Sequence, residues 1–194
     1  MHRTLGVFVL LAGFALALPA LAQTAAPRWD SVEALGNTQM SQGHYADAIA
    51  SYQRAIALAQ KDAGPAAIGR MYTSIGNANL KLRKNADAIA AYSKAAAIDP
   101  HPAVAYFNLC AVLYNMGQTT AKTIAVCDKA IAADPKKADA YFIKGSAMFG
   151  NATIGKDNKP IVPPGTLETL KQYLVLAPNG PHANDVKQML DFVK

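Results

Sequence analysis

The chain has 194 residues, 52% of them hydrophobic, and its 19 Lys and Arg against 13 Asp and Glu give a net charge of +6. That is enough chain for one domain with a real core. The basic excess is mild and scattered, with only Arg83-Lys84 and Lys136-Lys137 adjacent, which argues against a nucleic-acid reader and leaves solubility or weak attraction to anionic partners as its role.

In chain order, residues 1–22 read as a cleavable signal peptide. Arg3 supplies a positive start, residues 5–18 are an apolar stretch of 14, and Ala20-Leu21-Ala22 puts small residues at both cleavage-site positions. The stretch falls short of the ~20 residues that a membrane-spanning helix needs. Gln23, not a cysteine, follows the cleavage site, so no lipid tether is expected. The expected mature protein starts at Gln23, carries a net charge of +5, and is periplasmic or secreted without stable membrane insertion. Residues 23–28 are a short polar linker, and the folded domain is 29–194.

Helical periodicity then runs in pairs. The spacing predicts helices over 29–41 and 45–61, 66–82 and 86–98, 103–116 and 120–133, and 138–149 and 166–176. Gly43 turns the first pair, Ala63-Gly64-Pro65 closes it, and Asp99-Pro100 and Asp134-Pro135 stop the second helices of the next two. The fourth pair is interrupted by an inserted loop, 150–165, which holds Gly155, Pro160, Pro163, Pro164 and Gly165. Ala152-Thr153-Ile154 and Pro160-Ile161-Val162 flank a turn-like Lys156-Asp157-Asn158-Lys159, which predicts a small hairpin with Ile154, Ile161 and Val162 exposed. Two readings stand for it, a contact arm for a partner and an inert insertion at a loop tip. A last helix, 182–193, with Val186, Leu190 and Val193 on one face, suits a terminal cap.

These pairs repeat in residues as well as in length. Leu35-Gly36, Ala48-Ile49, Tyr52 and Ala55 return as Ile75-Gly76, Ala88-Ile89, Tyr92 and Ala95, with the same steps of 12, 4 and 3 residues. A third copy reads Tyr106, Leu109-Cys110, Gly117, Ile124, Cys127, Ala130 and Asp134-Pro135, and a fourth reads Tyr141, Gly145, Leu167, Leu170, Tyr173 and Pro178. The pattern resembles the tetratricopeptide repeat, W-x2-L-G-x2-Y then A-x3-F-x2-A-x4-P, and the whole is similar to an exported bacterial member of that family. The copies span about 29–62, 69–102, 103–137 and 138–179, with Gln39 and Asn79 in the place of the first-helix tyrosine and Gln60 in that of the first closing proline. The resemblance implies an all-α fold, a right-handed superhelical solenoid of four antiparallel helix pairs plus a C-terminal capping helix. Gly36, Gly76 and Gly145 are then expected to face Ala48, Ala88 and Thr166 so that paired backbones approach closely, with Tyr52 and Tyr92 filling the flanks.

The two cysteines are Cys110 and Cys127, and the resemblance implies that they take the places of Gly76 and Tyr92, which touch in this family. An oxidising address favours a disulfide between them; two buried free thiols acting as small hydrophobes are the alternative. At 17 residues apart and inside helices they do not look like a redox-active pair. His2, His44, His101 and His182 are isolated, and there is no G-x-S-x-G, P-loop, dinucleotide glycine fingerprint or C-x-x-C-H, so neither a metal, a cofactor nor an enzymatic activity is expected. Asn151-Ala152-Thr153 matches a glycosylation sequon, a weak signal.

The resemblance places the first helix of each pair along the concave groove. The groove candidates are Asn37, Met40, Arg70, Asn77, Phe107, Tyr114, Phe142 and Phe149, with Glu33, Thr73, Leu80, Ala111 and Ser146 beside them. The family's mode of holding a peptide carboxylate with lysine, arginine and asparagine is not expected, because Glu33 and Thr73 stand in the lysine place. Phe107, Tyr114, Phe142 and Phe149 either stack on a peptide or partner helix or pack against the next repeat. The expected function is binding of a peptide or protein partner in the cell envelope, the alternative being an assembly subunit that docks through its convex face or the 150–165 loop.

Overall fold

A computed structural model of the chain describes residues 28–59, 62–156 and 160–193; residues 1–22, expected to be a signal peptide, lie outside them. The described residues form helices α1 (Trp29–Ser41), α2 (Tyr45–Ala59), α3 (Pro65–Lys81), α4 (Asn85–Ile98), α5 (Ala103–Asn115), α6 (Ala121–Ala133), α7 (Ala138–Phe149), α8 (Thr166–Leu176) and α9 (Ala183–Phe192), with a ribbon β1 (Thr153–Ile154) and β2 (Pro160–Ile161) between α7 and α8. Each helix packs on the next from α1 to α9, and α5 also packs on α7. This is a solenoid of four antiparallel helix pairs with a terminal helix, as the family resemblance implies. Helix ends move by about a residue from their expected places; α3 starts at Pro65, whose fixed φ and missing donor suit a first helical turn.

The core is a chain of clusters shared between neighbours, which is why no pair could bury its apolar face alone. Tyr52, Met71 and Ile75 join the first two pairs, Tyr92, Leu109 and Leu113 the second and third, and Ile143 packs the fourth onto Cys110 and Cys127. The small residues differ from expectation in one respect. A Cβ on Gly36 would meet the Tyr52 ring at 2.8 Å, one on Gly76 would meet the Tyr92 ring, and one on Gly145 would meet Leu170 Cδ2 at 2.6 Å. The bulky side chains therefore lie directly over the glycines rather than on their flanks, because a ring lying on bare backbone fills space that a facing alanine would leave open.

The turns repeat too. His44 N–H donates to Gln39 O and Gly43 N–H to Met40 O; the same pair of bonds recurs at Lys84 and Arg83, and again at Gln118 and Gly117. Each closes a helix with the doubled reverse bond that satisfies its last carbonyls and needs a left-handed residue. Gly43 and Gly117 supply that at φ 80° and 72°, whereas the second copy uses Arg83 at φ 59°. A side chain in this region costs on the order of 1 kcal/mol. Arg83→Gly should thus raise unfolding stability by about 0.5–1 kcal/mol in urea titration, and Arg83→Val should lower it. Asp99 and Asp134 do more than precede proline: their Oδ1 atoms accept from His101 and Lys136 N–H at 2.9 and 3.0 Å and shape both repeat-to-repeat turns.

Candidate partner-binding site

The first helices α1, α3, α5 and α7 present the predicted groove residues, and the structure divides them into two sections. In the N-terminal section the tyrosine over each glycine also fixes the next residue. Tyr52 Oη donates to Asn37 Oδ1 at 2.8 Å, and Tyr92 Oη to Asn77 Oδ1 at 2.7 Å. One lock, glycine then asparagine on the first helix and tyrosine on the second, is built twice. It holds both exposed asparagines by their amide oxygens and does not use their amide nitrogens. Met40 is half-buried against the first cluster. Arg70 is exposed on α3 but already paired: its guanidinium donates to both carboxylate oxygens of the nearly buried Glu33, at 3.0 and 3.2 Å. That fork holds the Arg70 guanidinium protonated even more firmly than usual. The two charges therefore neutralise each other.

In the C-terminal section the aromatic candidates are largely covered by the chain's own side chains. Lys137 Nζ sits 4.5 Å from the centre of the Phe107 ring. His182, at the start of α9, stacks flat on Phe142 at 3.8 Å, and Phe192, at its end, meets Phe149 at 6.1 Å. Between them Ser146 Oγ donates to Met189 Sδ at 3.9 Å. Helix α9 thus lies over the fourth pair's first-helix residues, and Tyr114 is half-buried in the cysteine cluster. Of the two readings of these rings, internal packing is the one the contacts describe for Phe142 and Phe149. Asn108 and Asn115, which no sequence motif marks, lie seven residues apart on one face of α5, and Asn108 Nδ2 comes within 3.5 Å of Asn77 Oδ1 on α3.

The cysteine sulfurs lie 2.03 Å apart, at disulfide distance, with Cα atoms at 5.0 Å and both side chains fully buried. The ribbon pairs Thr153 with Ile161 and Ile154 with Pro160. Ile154 and Ile161 are 65% and 58% exposed, while Val162, expected outside with them, is half-buried; the tip, residues 157–159, lies outside the described residues. Asn151 mounts the ribbon on the third pair: its Nδ2 donates to Thr119 O at 2.7 Å and to Ala147 O at 3.1 Å. That amide nitrogen, the atom a glycan would occupy, is already engaged on both hydrogens.

Burial pushes the Tyr92 hydroxyl up to about 12 and the Tyr52 hydroxyl upward. The folded chain keeps these protons over a pH range where the unfolded chain, with tyrosines near 10, has lost them. Stability is therefore complete below about pH 10 and falls as pH rises toward 12. Urea midpoints measured at pH 9 and pH 11 should drop, and Tyr92→Phe should remove most of that drop.

A stack of helix pairs, each packed on the next, defines a helical-repeat protein. Residues 31–62 and 69–102 each match the tetratricopeptide repeat model, so the chain carries tetratricopeptide repeats. Among solved structures it is similar to MamA, at 26% identity and a TM-score of 0.61 over 77% of this chain and 78% of that one. It shares the fold of YrrB, described as a repeat protein with an unusual peptide-binding site, at 19% identity and a TM-score of 0.62 over 82% and 74%. The first repeat domain of Spaghetti (RPAP3), bound to the HSP90 peptide SRMEEVD, follows at 22% identity and a TM-score of 0.53 over 63% and 90%. No curated protein matches the chain in sequence. Among the described residues no helix is long and apolar enough to cross a membrane, and no group of three or more metal-binding side chains forms.

Proposed function

We propose that this protein is an exported, non-enzymatic adaptor that holds a peptide or protein partner of the cell envelope on the first-helix face of its N-terminal and central repeats. The observation that carries this reading is the division of that face. Helix α9 covers the fourth pair, while Asn37 and Asn77 are exposed and held in place by buried tyrosines. Preorganised polar groups of this kind lose little freedom when a partner binds. The envelope address rests on the signal-like residues 1–22 and on a cysteine pair that an oxidising compartment would keep joined. Peptide binding by YrrB and RPAP3 supports the reading at the level of a shared fold. The self-neutralised Glu33–Arg70 pair separates it from capture of a free carboxylate.

One observation favours the second reading, an assembly subunit: the ribbon holds two exposed isoleucines on a base tied down by Asn151. Affinity capture from the host envelope separates the two. Met40→Lys with Asn77→Lys should abolish capture of the partner. Replacing 152–164 with a short Gly-Ser turn, Asn151 retained, should leave the helical signal and melting nearly intact. If the groove variant captures its partner as the native protein does and the ribbon variant does not, the adaptor reading gives way to assembly.

A further inference from the structure

Between α3, α4 and α5 lies a cavity of about 230 Å³ whose polar lining consists of amides from Asn77, Asn85, Asn108 and Asn115, together with the Tyr92 hydroxyl, which is turned to Asn77 Oδ1. No charged side chain lines it. Its apolar wall includes Leu80 and Met116. The volume is below the roughly 300 Å³ at which small-molecule sites begin, and corresponds to a single side chain.

The hydrogen-bonding capacity left in the cavity is specific. Asn77 Oδ1 is taken by Tyr92 Oη at 2.7 Å and approached by Asn108 Nδ2 at 3.5 Å. That leaves both hydrogens of Asn77 Nδ2 and the Oδ1 of Asn108 free, and the side chains of Asn85 and Asn115 have no hydrogen-bond partner among the described residues. Neighbouring free donors and acceptors match a carboxamide, which carries two donors and one acceptor on a planar group. A carboxylate of the same shape would bring only acceptors and a charge, with no cation in the lining to balance its desolvation.

The geometry points to this cavity as a subsite for an uncharged glutamine or asparagine side chain on the bound partner segment. The assignment rests on the adaptor reading and adds to it the chemistry of the partner. A glutamine fits best. Its two methylenes reach past Leu80 and Met116, and its amide meets Asn77 and Asn108. A glutamate, identical in size, is rejected, because a site that hydrogen-bonds a neutral group leaves its own donors and acceptors mismatched against the wrong one.

The test uses two capped peptides, Ac-Ser-Gln-Ala-Gln-Ser-NH2 and its counterpart with both glutamines replaced by glutamate, titrated into the full mature chain labelled with nitrogen-15. The glutamine peptide should shift the side-chain amide signals of Asn77 and Asn108 and bind about tenfold or more tightly than the glutamate peptide. Asn108→Leu, which removes a surface-facing amide and leaves the Tyr92–Asn77 bond in place, should erase that preference. Met116→Lys, which places a cation at the rim, should reverse it toward glutamate. Equal binding of the two peptides, tighter binding of the glutamate form to the native chain, or binding of neither would overturn the assignment. The outcome is independent of the capture experiment: a lost preference with groove-dependent capture intact removes the amide subsite alone, whereas groove-independent capture removes the adaptor reading itself.

Discussion

Breaking the Cys110–Cys127 link should lower the stability of the folded protein by about 3 kcal/mol, the chain-entropy value for closing a loop of this size. The two residues are 17 apart and lie in facing interiors of α5 and α6. They occupy the third copy of the position that the first two copies fill with glycine under tyrosine, so the link replaces the lock that the first two pairs obtain from a ring. The loss should extend beyond one pair. Ile143 of α7 packs on the sulfurs, with Phe107, Tyr114 and Phe142 around them. A repeat stack is held by neighbour interfaces, and a weakened third pair lets the fourth pair and α9 separate from the rest. Urea unfolding with and without a phosphine reductant should show the drop, with α5 to α9 exchanging amide hydrogens sooner than α1 to α4. Thiol titration of the unfolded, unreduced chain should find no free thiol, and finding two would sink the idea.

Tyr92→Ala should cost about 3–5 kcal/mol, the range for removing a large buried ring from a core. The ring is fully buried, lies directly over Gly76, and packs with Leu109 and Leu113 of the third pair. Its removal leaves a void between the two halves of the stack and frees Asn77 from its 2.7 Å hydrogen bond to the ring hydroxyl. Tyr92→Phe keeps the ring and loses the hydroxyl alone, so its cost should be about 1 kcal/mol. Chemical denaturation of both variants separates packing from hydrogen bonding. If the two cost the same, the ring's contact with Gly76 is not what joins the second pair to the third.

Much of this architecture is legible in the residues. Helical spacing, the recurring glycine, alanine and tyrosine, and the Asp-Pro stops mark four pairs and a cap, because local backbone preference and apolar periodicity act over a few residues and leave a repeating trace. That Cys110 and Cys127 should meet is implied by the resemblance, which puts them in the places of Gly76 and Tyr92, while a disulfide and two free thiols both remain open at that level. The site is harder to read. Asn37 and Asn77 are surface amides by spacing, yet which ring would hold each of them is settled only by the tyrosine hydroxyls. Arg70 reads as a groove candidate, and its ion pair with Glu33, one repeat earlier, is visible only in the folded chain. Asn85 and Asn115 lie 30 residues apart on different helices, and nothing in either segment announces that they line one cavity.

The sequence by itself determined the helices, their pairing, the turns and the capping end, because each follows from propensity, period or a restricted dihedral within a single copy. Only the tertiary structure decided which first-helix residues remain open. That depends on α9 folding back so that His182 and Phe192 cover Phe142 and Phe149, contacts made across 40 and 43 residues between side chains that are each ordinary in their own helix. Long-range packing of this kind is chosen by the shape of the whole stack, and no local pattern encodes it.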